Sequence, residues 1–318
     1  MKEAVLTITD LRAGYGEKPM VSDVSFSLKK GEIFCVVGES GCGKSTLLKA
    51  ILGTTPGLRV LSGSIRLGET ELTALPDAAR QRLGTERMGM VFQNPGSSFN
   101  PIRSYRKQFV ETLKSHGLYD KAKFLSRVEE AFGKLGLTDA SRILGSCPFE
   151  MSGGENQRVA MALTLLLGQE ILLADEPTSA LDATIQMQTA RELRRLRDES
   201  GISQIIVTHN LALAEFLGDR IAVMYSGRVV ELGEASAVLR DPRHPYTKSL
   251  IAAIPSLDGT MPTGLPGSPP MTGPADAGCE FAPRCPCASG DCPALTYALT
   301  DVGNGHLVSC PYEKGGAK

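Results

Sequence analysis

Gly38-Glu39-Ser40-Gly41-Cys42-Gly43-Lys44-Ser45 fits G-x-x-x-x-G-K-[ST], follows the apolar run Ile33 to Val37 and precedes the helix-like stretch Thr46 to Leu52. Glycines at 38, 41 and 43 let the backbone turn so that several N–H groups converge, and the following helix adds the positive end of its dipole. That concavity suits a polyphosphate. Lys44 would reach the β- and γ-phosphates as a point charge, and the Ser45 hydroxyl would ligate Mg²⁺ beside phosphate oxygens. A glycine-rich turn with an exposed lysine is the plainer alternative, and the flanking strand and helix weigh against it.

A second stretch, Ile171-Leu172-Leu173-Ala174-Asp175-Glu176-Pro177, is an apolar strand ending in two acids. Open α/β sheets bring ligand-binding groups to that end of a strand. Asp175 would hold Mg²⁺, and Glu176 would polarise an attacking water as general base, a role worth about 10²–10⁴-fold. A solvated pair of surface acids is the competing reading.

Around these motifs, Val5 to Leu11 and Val24 to Leu28 alternate apolar and polar, which predicts a small antiparallel sheet. Continuous apolar runs at Ile33 to Val37, Met88 to Phe92, Ile171 to Ala174 and Gln204 to Thr208 predict buried parallel strands. Between them, Phe124, Val128, Ala131, Phe132 and Leu135 fall on one helical face, so a mostly helical insert is expected at about 97–165. After Tyr246 six prolines from Pro255 to Pro274 interrupt any regular pattern. The expected division is 1–253 for the main domain and 254–318 for a linker with a small cysteine-rich extension.

At 318 residues, with 42% hydrophobic and 22% charged residues, the chain is a folded globular protein with room for an appendage. Lys plus Arg (34) nearly cancel Asp plus Glu (35), so no overall field draws it to nucleic acid or anionic lipid. The longest apolar stretch, Val159 to Leu167, is about half of the ~20 residues needed to span a bilayer, and Met1-Lys2-Glu3 leads straight into a strand, so neither signal peptide nor membrane helix is expected. A reducing compartment then argues against a disulfide framework for the eight cysteines, five of which follow residue 278.

Met151-Ser152-Gly153-Gly154-Glu155-Asn156-Gln157-Arg158, shortly before the acidic strand, resembles the signature of the ABC ATPase family. Gln93 in Val91-Phe92-Gln93-Asn94-Pro95 is similar to its Q-loop, Ser179-Ala180-Leu181-Asp182 to its D-loop, His209 to its switch histidine, and Tyr15 to the aromatic that stacks on adenine. Gln93, His209 and Tyr15 each have an ordinary structural reading alone; their shared order does not. The resemblance implies an α/β P-loop NTPase with a parallel-sheet core, an N-terminal antiparallel subdomain and a helical subdomain. It also implies a head-to-tail dimer in which Ser152, Gly153, Gly154 and Glu155 open a helix toward the ATP of a partner subunit, with Gln93 also near Mg²⁺. In two departures the family's usual Leu is Met151 and its usual Gln is Glu155.

Gln93-Asn94-Pro95-Gly96-Ser97-Ser98-Phe99-Asn100-Pro101, Asp241-Pro242-Arg243-His244-Pro245-Tyr246-Thr247 and the stretch Ser179 to Gln188 resemble the dipeptide, oligopeptide and nickel importer branch. That resemblance implies import of peptides, nickel or metal chelates with a second, different ATPase subunit, two permeases and an extracytoplasmic solute-binding protein. It places the chain on the cytoplasmic face of the cell membrane. Cys279, Cys285, Cys292 and Cys310 resemble the branch's terminal cysteine motif, read in relatives as an iron–sulfur site. Four thiolates suit a [4Fe–4S] cluster, with zinc or free thiols as rivals and Cys287 as a spare. On this reading the proline-rich tail needs a metal to order it. Cys42 begins a helix, which is expected to lower its thiol pKa, whereas Cys35 and Cys147 read as structural.

Overall fold

A computed structural model describes residues 3–93, 95–179, 183–254 and 278–311, with isolated positions between 255 and 277. Most of the expected proline-rich linker lies outside the described residues. In chain order the early elements are β1 (Ala4–Tyr15), β2 (Lys18–Lys29), β3 (Ile33–Val37), α1 (Lys44–Leu52), β4 (Leu58–Leu67), β5 (Thr70–Glu71), α2 (Asp77–Arg87) and β6 (Met88–Val91). The middle holds α3 (Tyr105–Ser115), α4 (Phe124–Lys134), α5 (Ala140–Gly145), α6 (Gly153–Leu166), β7 (Ile171–Asp175), α7 (Ala183–Ser200) and β8 (Ser203–Thr208). The remainder is α8 (Leu211–Leu217), β9 (Arg220–Tyr225), β10 (Arg228–Glu234), α9 (Ala235–Arg240), α10 (Pro245–Ala252), β11 (Thr300–Asp301) and β12 (Leu307–Val308).

These elements form two compact units, one built on Leu28–Ile33 and Leu75–Val207, the other on Leu6–Ser27, Phe34–Ala74 and the chain from Thr208. In the first unit β6, β7 and β8 run parallel, with Val91 opposite Ala174 and Asp175 opposite Val207. Every residue of β7 is buried, which is why its apolar run is continuous rather than alternating. Helix α4 buries Phe124, Val128, Ala131 and Phe132, followed by Leu135, on the face that the spacing predicts. Each large apolar side chain so buried contributes about 1.5–3 kcal/mol relative to exposure.

In the second unit β1 is antiparallel to β4, from Leu6 opposite Leu67 to Tyr15 opposite Leu58, and β4 is antiparallel to β5. The expected strand Val5 to Leu11 thus extends to Tyr15, because β4 supplies hydrogen-bond partners along the added length. β4 itself carries no clean alternation: Arg59, Leu61 and Ser62 are all exposed. Strand β3 is parallel to β9, β9 and β10 form an antiparallel hairpin, and β12 joins β10 with Glu231 opposite Val308.

The described part of the extension, residues 278–311, is held by strand pairing and burial. Phe281 is 1% exposed and packs against Tyr225 and Tyr246, each ring centroid 5.3 Å away. Glu231, wholly buried, accepts from the backbone N–H of Arg243 (2.7 Å) and His244 (3.0 Å) and pairs with His306 Nε2 (2.7 Å). Truncation would orphan those donors inside the unit. Glu231→Ala is expected to cost about 3 kcal/mol in chemical denaturation, and Glu231→Gln, which keeps an acceptor, less than half as much.

Candidate nucleotide site

The loop from Gly38 to Gly43 joins β3 to α1, and its conformation requires glycine at two places. Gly38 has φ +152° and Gly43 φ +102°. A Cβ at Gly38 would lie 2.1 Å from Met224 O and one at Gly43 2.9 Å from Met20 O, so backbone blocks any side chain. Helix α1 begins with no side-chain cap and no acid in its first turn, which leaves its N-terminal dipole to an outside anion.

Lys44 is 5% exposed, and its Nζ donates to Gly38 O (2.8 Å) and Glu39 O (2.9 Å), so the lysine holds the loop's carbonyls as well as supplying charge. Cys42 is 3% exposed, and burial, opposed by Lys44, raises its thiol pKa. The expectation of a lowered value is overturned because desolvation of the thiolate outweighs its cationic neighbour. Cys35, fully buried, is pushed up to about 12 by burial and the Asp219 charge. Tyr15, 45% exposed at the end of β1, presents an aromatic face to solvent. Ser40, Gly41, Ser45 and Thr46 lie in the loop and the first turn of α1, and His209 is exposed just after β8.

Glu39 is held from elsewhere in the same unit. Arg284 grips its carboxylate with two bonds, Nη1 to Oε2 at 2.7 Å and Nη2 to Oε1 at 2.9 Å, and also donates to the Tyr225 hydroxyl at 3.3 Å. The Glu39 N–H donates to Tyr246 Oη at 2.9 Å. Sequence reading missed Arg284 and Tyr246 because 245 and 207 residues separate them from Glu39.

In the first unit the C-terminal ends of β6 and β7 bring Gln93, Asp175 and Glu176 to one edge of the parallel strands, since Val91 lies opposite Ala174. Asp175 is 7% exposed. Glu176 adopts φ +48°, rare for a side-chain-bearing residue. Its N–H donates to Val207 O at 2.9 Å, and its carbonyl accepts from both the N–H and the hydroxyl of Ser179 at 3.2 Å. Of the D-loop, Ser179 is thus placed, while Ala180, Leu181 and Asp182 lie outside the described residues.

Helix α6 begins at Gly153, with Gly154 in its first turn. Ser152 caps it: its hydroxyl accepts from the Glu155 N–H (3.2 Å) and donates to Glu155 Oε2 (2.9 Å), which also accepts from the Ser152 N–H (3.1 Å). Burial opposes the Glu155 charge, but the bonds from Ser152 and Arg142 outweigh it and hold its carboxyl below the usual range. Arg142, 3.2 Å away, compensates the acid that stands in the signature. The hydroxyl expected to face a phosphate is therefore engaged in a capping box. Glu155→Ala is expected to cost about 1 kcal/mol in equilibrium unfolding, and Glu155→Gln, which can still close the box, a few tenths of that.

Among the described residues, Cys279, Cys285, Cys292 and Cys310 form no disulfide with one another. Among the described residues no group of three or more His, Cys, Asp or Glu side chains is placed to hold a metal. Burial raises the thiol pKa of Cys279 and of Cys285, the latter to about 11, with neighbouring cysteines adding to the shift.

A family model described as ABC transporter matches residues 21–179, and one described as Oligopeptide/dipeptide transporter, C-terminal region, matches residues 230–292. The chain is 35% identical over 316 residues to the dipeptide transport ATP-binding protein DppD of Bacillus subtilis, covering 97% of this chain and 94% of that one. It is 37% identical over 314 residues to the oligopeptide transport ATP-binding protein OppD of Mycobacterium tuberculosis, of which it spans about half the length (51%). Among solved structures, cbiO1 of Clostridium perfringens superposes with a TM-score of 0.66 at 24% identity, covering 76% of this chain and 92% of that one, a likeness of fold. The dimeric, ADP- and phosphate-bound ATP-binding cassette MJ0796 gives 0.62 at 26%, covering 72% of this chain and 98% of that one. Family models for both the cassette and the extension, with relatives matched along nearly the whole chain, show that this protein belongs to the ABC transporter ATPases, among the ATP-binding proteins of oligopeptide and dipeptide transport.

Proposed function

We propose that this chain hydrolyses MgATP as the motor subunit of a peptide importer, with nickel and metal chelates as the alternative cargo class. The observation that carries the reading is the loop itself, a glycine-dependent turn between β3 and α1 with Lys44 locked across its carbonyls and an uncapped helix N-terminus behind it. Lys44 and Ser45 act on the phosphates and magnesium, with Gln93 and Asp175 as further magnesium partners. Glu176 serves as general base, His209 senses the γ-phosphate, and Tyr15 stacks on adenine.

Two ATP molecules favour a closed head-to-tail dimer through contacts to the γ-phosphates, each reaching the Ser152 to Glu155 helix start of the other subunit, and hydrolysis removes those contacts. The D-loop residues Ser179 to Asp182 belong to the same dimer contact. The partners are a second, different ATPase, two permeases and an extracytoplasmic binding protein. Attachment to the inner face of the membrane comes through the permeases; among the described residues no helix is long and apolar enough to cross a membrane. An iron–sulfur cluster or zinc in the extension finds no support in the arrangement of thiols, and no step runs through it.

Calorimetry tests the core of this reading. Magnesium-dependent ATP binding is expected with the fold intact, and a folded protein that binds none overturns it.

A further inference from the structure

A carboxylate is an awkward neighbour for a polyphosphate, yet Glu39 directly follows the first glycine of the loop. Unpaired, its negative charge would oppose the dipole and lysine that the loop presents. The chain answers from its far end. Arg284, 6% exposed in its side chain, meets Glu39, 22% exposed, in a two-bond fork that is both charge-compensating and geometrically specific. Phe281, three residues earlier, anchors the same segment between Tyr225 and Tyr246, and the Tyr246 hydroxyl accepts the Glu39 N–H. The extension thus reaches this loop residue through its side chain and, by way of Tyr246, through its backbone.

We propose that Arg284 is a positioning residue of the nucleotide loop: by neutralising Glu39 and fixing its side chain, the docked C-terminal extension sets the affinity of the loop for a nucleoside triphosphate. The effect acts through Glu39 and requires no contact of Arg284 with the nucleotide. This rests on the MgATP reading above and deepens it, adding a determinant outside the ATP-binding motifs.

The test is a double-mutant cycle on the full-length chain, with the MgATP dissociation constant read by calorimetry and folding checked by circular dichroism. Arg284→Ala is expected to bind about tenfold more weakly, the scale of a partly buried, hydrogen-bonded charge pair. Glu39→Gln supplies the remaining corner of the cycle, and Arg284→Ala is expected to cost at least about threefold less affinity on the Glu39→Gln background than on wild type. The double variant should bind more tightly than Arg284→Ala alone, a sign that purely structural damage would not give. Wild-type affinity in folded Arg284→Ala, or a double variant no tighter than it, overturns the proposal. Should truncation prevent folding, Arg284→Gln, which keeps a donor without the charge, is expected to show the same loss, and unchanged affinity there is equally fatal. A wild-type chain that binds no MgATP would instead overturn the functional reading itself.

Discussion

Glu176→Gln is expected to bind MgATP within about threefold of wild type while its turnover falls by roughly 10²–10⁴-fold, the range that general-base assistance supplies. The structure makes this a clean substitution. The backbone of Glu176 is held by its N–H on Val207 O and its carbonyl on Ser179, bonds that the substitution leaves in place. Glutamine matches the shape and loses only the basic oxygen. The φ of +48° stores about 1–3 kcal/mol of strain. Glu176→Gly should therefore be at least as stable as Glu176→Gln while equally inactive, a pairing that separates the lost base from any lost fold. Phosphate release and nucleotide binding measured on the same preparations decide it; near-normal release by the glutamine variant removes the role from Glu176.

Lys44→Ala is expected to fail one step earlier, weakening MgATP binding by about 100-fold or more, because two contributions vanish together. One is the point charge on the phosphates. The other belongs to the nucleotide-free chain, where Nζ donates to Gly38 O and Glu39 O and so holds the turn in shape. Hydrogen bonds from a charged donor are worth about 1.5–3 kcal/mol each, so the thermal midpoint without nucleotide should fall as well. Lys44→Met keeps the aliphatic stem in its buried slot and should lose affinity to the same degree. Calorimetry and thermal unfolding of both variants provide the check, and a methionine variant that binds normally would show that the amine is dispensable.

Much of the fold could be read locally. The apolar run Ile33 to Val37 forms β3 with those bounds, and Phe124, Val128, Ala131, Phe132 and Leu135 form the buried face of α4 and its end. These elements were legible because one period of side-chain burial dominates each. β4 was not, since its exposed Arg59, Leu61 and Ser62 blur the alternation. Cys42 misled for a related reason: the helix start beside it is visible in sequence, whereas the burial that raises its thiol pKa is set by what packs over it. Glu155 stood out as an extra charge by the signature helix, and its compensation by Arg142, 13 residues away, became visible only in the folded chain.

Sequence alone determined the glycine turn, the paired acids and the helix that opens at the signature, because each is specified by neighbours within a turn or two of backbone. Only the tertiary structure decided how the extension is ordered and where it goes. Burying Phe281, seating Glu231 among three donors and bringing Arg284 onto Glu39 are pairings across tens to hundreds of residues. Their energy comes from desolvated contact, which no local pattern encodes.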